Sequence, residues 1–315
     1  MAGGVFMSIL PVLLLLAAVI LVNGWTDAPN AIAAPVASGV LSFPSAVLLA
    51  AVCNLLGVVC TTRISDAVAR TLFSIADFGP YAVIALTAAL AATVLWAVIA
   101  WRFGIPTSES HALMAGLIGS ALALGLDRVR LEPLLRVALG LVLSLLLGAF
   151  LGRAILGLLP TGKDPLYQKG QMLGAALTAF LHGAQDGQKF LGVLALLLTL
   201  QTGTFSLPPQ APWVCAALMA LGTLLGGRRI IDTVGRKLVT LTPRSGFAAE
   251  LGCAAVLTLC TLWGLPVSTT HAKSAAIFGA GAHPDSRVAG SLGAAWLFTF
   301  PACGALAFLL VRLLN

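Results

Sequence analysis

Charge is what this chain has least of. Only 9% of its 315 residues are charged, against about 25% in a typical soluble domain. So little charge cannot cover a water-facing surface, which excludes a soluble globular enzyme. A disordered chain is excluded as well, because 59% of the residues are hydrophobic. The polar–apolar alternation of a transmembrane β-strand is also missing: Pro11–Val22 is apolar throughout. Tyrosine is nearly absent, with two residues, so no basic face interleaved with aromatics offers itself to nucleic acid. The six cysteines form no CxxC pair and no Cys/His cluster with zinc spacing. They read as small hydrophobes in helix packing.

What is present is apolar sequence, with a mean hydropathy of +1.01. Candidate membrane segments run over roughly 5–22, 44–60, 80–101, 106–126, 134–159, 171–184, 190–201, 212–227, 246–263, 266–282 and 288–314. The basic residues behind the net charge of +7 fall in the short gaps between them, as the positive-inside rule expects. No basic region precedes the first segment, which reads as a retained membrane helix rather than a cleaved signal. Several segments fall short of the roughly 20 residues a crossing needs. The segments 106–126 and 266–282 each open on a Pro-led polar run, and 171–184 and 190–201 flank a charged break. Short, interrupted segments of this kind point to broken or re-entrant helices. The expectation is a multi-pass, all-α integral protein of the cell membrane with about 10–12 membrane elements.

The chain also matches itself. Gly24-Trp25-Thr26-Asp27 corresponds to Gly183-Ala184-Gln185-Asp186, at an offset of 159 (186 − 27). Arg63-Ile-Ser-Asp66 corresponds to Arg229-Ile-Ile-Asp232, at 166, and Pro106-Thr-Ser-Glu-Ser-His111 to Pro266-Val-Ser-Thr-Thr-His271, at 160. Three ordered matches at a nearly constant offset indicate duplication of about half the chain. The expected division is a first repeat over 1–160, a linker over 161–171 and a second repeat over 172–315. The loop around Arg228–Arg244 is richer in basic residues than its counterpart around Arg63–Arg70. This asymmetry favours an inverted arrangement, the architecture of secondary transporters, with sites at the repeat interface.

Charged side chains inside apolar sequence are functional candidates by default. Asp27 and Asp186 stand at equivalent positions among amides and hydroxyls: Asn23, Thr26 and Asn30 around one, Gln185 and Gln188 around the other. Carboxylate, carbonyl and hydroxyl oxygens suit a hard cation; an acid stabilised by a helix dipole is the plainer alternative. Behind Pro106 and Pro266, unpaired N–H groups and Ser/Thr hydroxyls make an oxyanion cradle at a helix N-terminus. Two such ends across a pseudo-twofold axis would hold a tetrahedral oxyanion. His111 and His271 read as packing or capping residues. The Ser108/His111 and Ser268/His271 pairs raise an intramembrane hydrolase as a remote alternative. That reading lacks a single asymmetric site and a GxSxG elbow, so a non-enzyme is expected.

These motifs resemble the inorganic phosphate transporter (PiT) family over nearly the whole chain. The signature GxNDxxNAIA is similar to Gly24–Ala33, HGxNDxQK to His182–Lys189, and PTSxSH and PVSTTH to 106–111 and 266–271; Gly246-Phe-Ala-Ala-Glu250 also fits. The resemblance implies inverted repeats with two re-entrant hairpins and cation-coupled uptake of inorganic phosphate by alternating access. Thr107, Ser108, Ser110, Ser268, Thr269 and Thr270 would then hold the anion, and Asp27, Asn30, Asp186 and Gln188 the coupling ion, sodium or a proton. Asn23, Thr26, Gln185, His182, Glu109, Glu250 and Lys273 are secondary candidates. Lys273 either attracts the anion or snorkels to the interface. Departures are Thr26 and Gln185 before the signature acids, Pro29 where a small residue is usual, and Glu109 inside the first hairpin motif. Sulfate is the alternative substrate within the family. The acids favour phosphate, because only phosphate carries a proton to donate to them at neutral pH. No cofactor beyond the coupling ion and no nucleic-acid partner is expected; the lipid bilayer is the surrounding medium, and a homodimer stands beside the monomer as an open state.

Overall fold

The computed structural model describes residues 2–162 and 164–315, with side-chain surroundings for 9–125, 127–162, 164–199 and 203–315. The chain is helical, in the order α1 Ala2–Thr26, α2 Ala33–Ala37, α3 Phe43–Ile64, α4 Ala67–Phe73, α5 Ala82–Arg102, α6 Glu109–Leu124, α7 Leu131–Leu158, α8 Asp164–Thr202, α9 Ala211–Leu225, α10 Arg228–Ile231, α11 Pro243–Leu262, α12 Thr269–Ala280 and α13 Ser286–Leu314. Among the described residues, six stretches are long and apolar enough to cross a membrane: Ile9–Ala37, Phe43–Ile64, Gly79–Arg102, Leu131–Leu158, Pro243–Leu262 and Ser286–Leu314. A seventh, Ala211–Leu225 with Arg228–Lys237, is bent by 69°.

The first copy breaks where its sequence dictates. Pro29 lacks an N–H and crowds the residue before it, so α1 stops at Thr26 and a 3₁₀ segment, Ala28–Ile32, leads into α2. In the second copy Gln188 stands in place of Pro29, and no break occurs. The expected interruption between 184 and 190 is absent: α8 is one 39-residue helix with Asp186 on its buried face. It also takes in 164–171, most of the stretch read as a linker. At 1.5 Å per residue it extends about 58 Å, well beyond the roughly 30 Å hydrocarbon core.

Helices α6 and α12 are 16 and 12 residues long, too short to cross. Each returns antiparallel to the preceding helix and packs on the last helix of the other half: α6 on α5 and α13, α12 on α11 and α7. They are the two re-entrant hairpins. The same exchange recurs at the centre, where α1 packs on α9 and α8 on α3.

Those two central crossings are made by glycine. A Cβ at Gly57 would lie 1.9 Å from the Phe180 carbonyl oxygen, and one at Gly183 would lie 2.2 Å from that of Asn54. At the α1–α9 crossing, Gly222 would meet Leu21 O at 2.0 Å and Gly24 would meet Met219 O at 2.2 Å. Within a membrane no hydrophobic force drives helices together, so close backbone approach over small residues supplies the contact. These crossings hold the two signature acids, one turn beyond Gly24 and Gly183, against each other.

Candidate functional site

Asp27 and Asp186 lie at the centre of the molecule, fully buried. With His182 they offer three ligand atoms all within 4.8 Å of one another. Asn23, one turn before Asp27 on α1, joins the acids: its Nδ2 donates to Asp186 Oδ2 at 2.9 Å and reaches Asp27 Oδ2 and Glu109 Oε2 at 3.5 Å each. Thr26 Oγ1 touches Glu109 Oε1 and lies 2.8 Å from Val22 O, with one proton to give to either. Glu109 therefore faces the site from the first hairpin, and three buried carboxylates converge on one amide.

Around this point the halves repeat each other in chemistry. In the first, Asn30 Nδ2 donates to Asp27 Oδ1 at 3.1 Å and to Thr270 Oγ1 of the second hairpin at 3.1 Å. Thr270 itself donates to Asp27 and reaches Thr107 O at 3.5 Å. In the second, Lys189 Nζ donates to Asp186 Oδ1 at 2.6 Å, to Ser110 Oγ of the first hairpin at 2.6 Å and to Val267 O at 2.5 Å. Ser110 also lies 3.4 Å from both oxygens of Asp186. Each acid is thus tied to a hydroxyl on the other half's hairpin tip. The two tips meet here, with the rings of His111 and His271 4.9 Å apart, edge to face.

Helix capping holds the tips in shape. Ser108 and Ser268 are N-caps, their hydroxyls accepting the His111 and His271 N–H at 3.2 and 3.1 Å, as the sequence position demands. The first-turn amides of α6 and α12 still lack intrahelical acceptors, and the buried Thr269 hydroxyl has no protein partner. Hydroxyls and amides at two facing dipole ends suit an oxyanion.

The tautomer of His182 follows from its neighbours. Asn54 Nδ2 donates to Thr223 Oγ1 at 3.1 Å, whose own proton goes to Met219 O at 2.8 Å. Asn54 Oδ1 therefore faces His182 Nδ1 at 2.8 Å and accepts from it. This leaves Nε2 against Asp186 Oδ2 at 3.5 Å. Such a nitrogen meets a carboxylate either through a shared cation or through a second N–H. Asn23 and Asn30, both bonded to Asp27, each keep a buried amide Oδ1 with no protein donor. With the carboxylates they fit the oxygen-rich set of a hard cation.

Gln188, Gln185, Lys273 and Glu250 stand elsewhere. Gln188 points away: its Oε1 accepts the Val68 N–H at 3.1 Å, serving the first turn of α4. Gln185 Nε2 is held by Thr261 Oγ1 at 3.0 Å and Leu265 O at 3.3 Å. Lys273 neither snorkels nor reaches the hairpin tip. It is buried against Glu250, itself bonded by Thr178 at 2.7 Å, and donates to Ala31 O at 3.2 Å. That ion pair pins the 3₁₀ segment bearing Asn30 to α11 and α12. The sequence motifs assign Lys189 no role, although a lysine three residues after a buried acid is itself a signal.

Crossed re-entrant hairpins over paired acids on broken and unbroken central helices define the class: an inverted-repeat, multi-pass membrane transporter. The model of the phosphate transporter family matches residues 23–163 and 159–307, and the chain belongs to that family. It is similar to proteins named probable low-affinity inorganic phosphate transporter from Rhizobium meliloti (37% identical over 305 residues, covering 91% of this chain and 90% of the relative) and Bacillus subtilis (32% over 321 residues, 93% and 94%). A solved structure titled "The sodium-dependent phosphate transporter" superimposes with a TM-score of 0.89 over 98% of this chain and 99% of that one, at 21% identity.

Proposed function

We propose that the chain carries inorganic phosphate across the cytoplasmic membrane by alternating access, coupled to a cation bound at Asp27. One observation carries this reading: three carboxylates, Asp27, Glu109 and Asp186, are buried where the hairpin tips meet, with one ammonium, Lys189, among them. Uncompensated buried charge is expensive. A cation from solution, held by Asp27 with Asn23 and Asn30 oxygens, halves that excess of negative charge. Until it binds, the acids repel a dianion from the tips; once it binds, Thr107, Ser108, Ser110, Ser268, Thr269 and Thr270 and the first-turn amides can receive one. This ordering makes the movement of either ion depend on the other.

Sodium is supported by the superimposed structure, that of a sodium-dependent phosphate transporter. A proton fits the same place through the adjoining Glu109 and His182. Phosphate is favoured over sulfate because its remaining proton can be donated to a carboxylate of the site. The names of the relatives support the same substrate. The test is radiolabelled phosphate uptake into proteoliposomes under an imposed sodium or pH gradient, with sulfate as competitor. Gradient-driven uptake that excess sulfate leaves in place is the expected result. Uptake indifferent to both gradients, or displaced equally by sulfate, overturns it.

A further inference from the structure

We infer that Lys189 is a tethered cation: its ammonium permanently fills the ion position of the second half-site, so that each phosphate moves with one solution cation fewer than the doubled architecture would hold. The inference rests on the coupled-transport reading above and adds its ion count.

The two half-sites are superimposable in connectivity, which makes the substitution visible. Asp27 and Asp186 correspond at an offset of 159, and so do Asn30 and Lys189, each three residues on. Thr270 and Ser110 correspond across the hairpins, as do Val267 and Thr107. In the first half, Asp27 is approached by a neutral amide, and Asn30 Oδ1 is left without a donor. In the second, the same place holds an ammonium whose three hydrogens are all committed, to Asp186, Ser110 and the Val267 carbonyl. Three oxygens at 2.5–2.6 Å around one positive centre reproduce the donors a bound sodium ion would recruit. A cation from solution cannot occupy that place without displacing the buried lysine from all three oxygens.

Lys273, the other fully buried lysine among the described residues, makes the contrast. It pairs with Glu250 and touches neither signature acid. Lys189 alone puts a covalently held charge into the ion-binding geometry. An ammonium is a compact point charge on a flexible stem, which suits it to this substitution better than a guanidinium.

The experiment is the charge moved per phosphate, read from the zero-flux voltage of proteoliposomes at fixed sodium, proton and phosphate gradients, for wild type, Lys189→Asn and Lys189→Arg. Lys189→Asn rebuilds the first half-site's Asn–Asp arrangement. It is expected to raise the cargo by one positive charge per phosphate and the Hill coefficient for the coupling cation by about one, whereas Lys189→Arg keeps the wild-type ratio. An unchanged ratio in a transporting Lys189→Asn protein overturns the inference and leaves coupled transport standing. Uptake by wild type that ignores every cation gradient removes the coupled-transport reading itself. Should Lys189→Asn not fold, the reciprocal Asn30→Lys decides by a binding readout. An ammonium against Asp27 is expected to abolish sodium-dependent thermal stabilisation of the purified chain, and retention of that stabilisation overturns the inference.

Discussion

Replacing Gly183 by alanine is expected to damage the transporter more than its single methyl suggests. The new Cβ would stand 2.2 Å from the Asn54 carbonyl oxygen, and the reciprocal change at Gly57 would place one 1.9 Å from Phe180 O. Restoring an ordinary separation of about 3.5 Å requires α3 and α8 to part by about 1.3 Å for Gly183→Ala, from 2.2 Å, and by about 1.6 Å for Gly57→Ala, from 1.9 Å. The obstacle is backbone, which cannot swing aside as a side chain would. The cost therefore falls at the upper end of the 1–3 kcal/mol range for overpacking, about 3 kcal/mol. The movement is felt at the site because Asn54 orients His182, and Asp186 lies three residues past Gly183. A misplacement of about 1 Å costs on the order of 100-fold in catalysis; for hydrogen-bonded transport ligands of the same length we expect at least about tenfold. Thermal unfolding in detergent and initial phosphate uptake measure both effects. Gly157→Ala and Gly290→Ala, where an added Cβ meets nothing within 4 Å, serve as controls expected to match wild type. If Gly57→Ala and Gly183→Ala behave like these controls, the close-packed crossing does not position the acids.

Asp186→Asn strands the buried Lys189 ammonium and is expected to cost about 3–5 kcal/mol of stability as well as uptake; normal melting would contradict the pairing. Lys273→Met is expected to lower stability by a similar amount, with the Lys273→Met/Glu250→Gln double variant recovering much of the loss because no unpaired charge remains. Apparent phosphate affinity in the double variant should stay near that of wild type, and a large fall would return Lys273 to the binding site. Glu109→Gln removes one of the three converging carboxylates. Phosphate binding without added cation should strengthen severalfold, and an unchanged dependence on cation would mean Glu109 does not set the repulsion.

Much of this fold is legible in the sequence because duplication leaves matching marks. Asp27 and Asp186, with the two Pro-led tips, announce both the class of protein and the region of interest. Continuity of α8 is not legible. Gly183, Asp186 and Lys189 look like a break because a lone sequence does not show their partners. In the fold, Gly183 is required by the α3 crossing, while Asp186 and Lys189 neutralise each other at i,i+3 and share Ser110 from a hairpin 79 residues away. The fate of Lys273 was hidden for the same reason, since Glu250 and Ala31 reach it from distant segments. Gln188 was misdirected by proximity in sequence: two residues after Asp186 on a helix is a different face, and that face meets α4. Lys189 could have been found by the rule that an ionisable residue inside a membrane helix is functional by default.

Binding measurements on the purified chain put the coupling itself to the test. Phosphate affinity is titrated against sodium at fixed pH, and then against pH without sodium, in wild type and Asp27→Asn. Cation and anion held at one site must strengthen each other reciprocally, and typical coupling of this kind amounts to about 5–150-fold. We expect an enhancement in that range for one of the two cations in wild type and none in Asp27→Asn, with the variant still folded. Phosphate binding that ignores both cations in wild type, or full enhancement in the variant, would contradict a shared site at the hairpin tips.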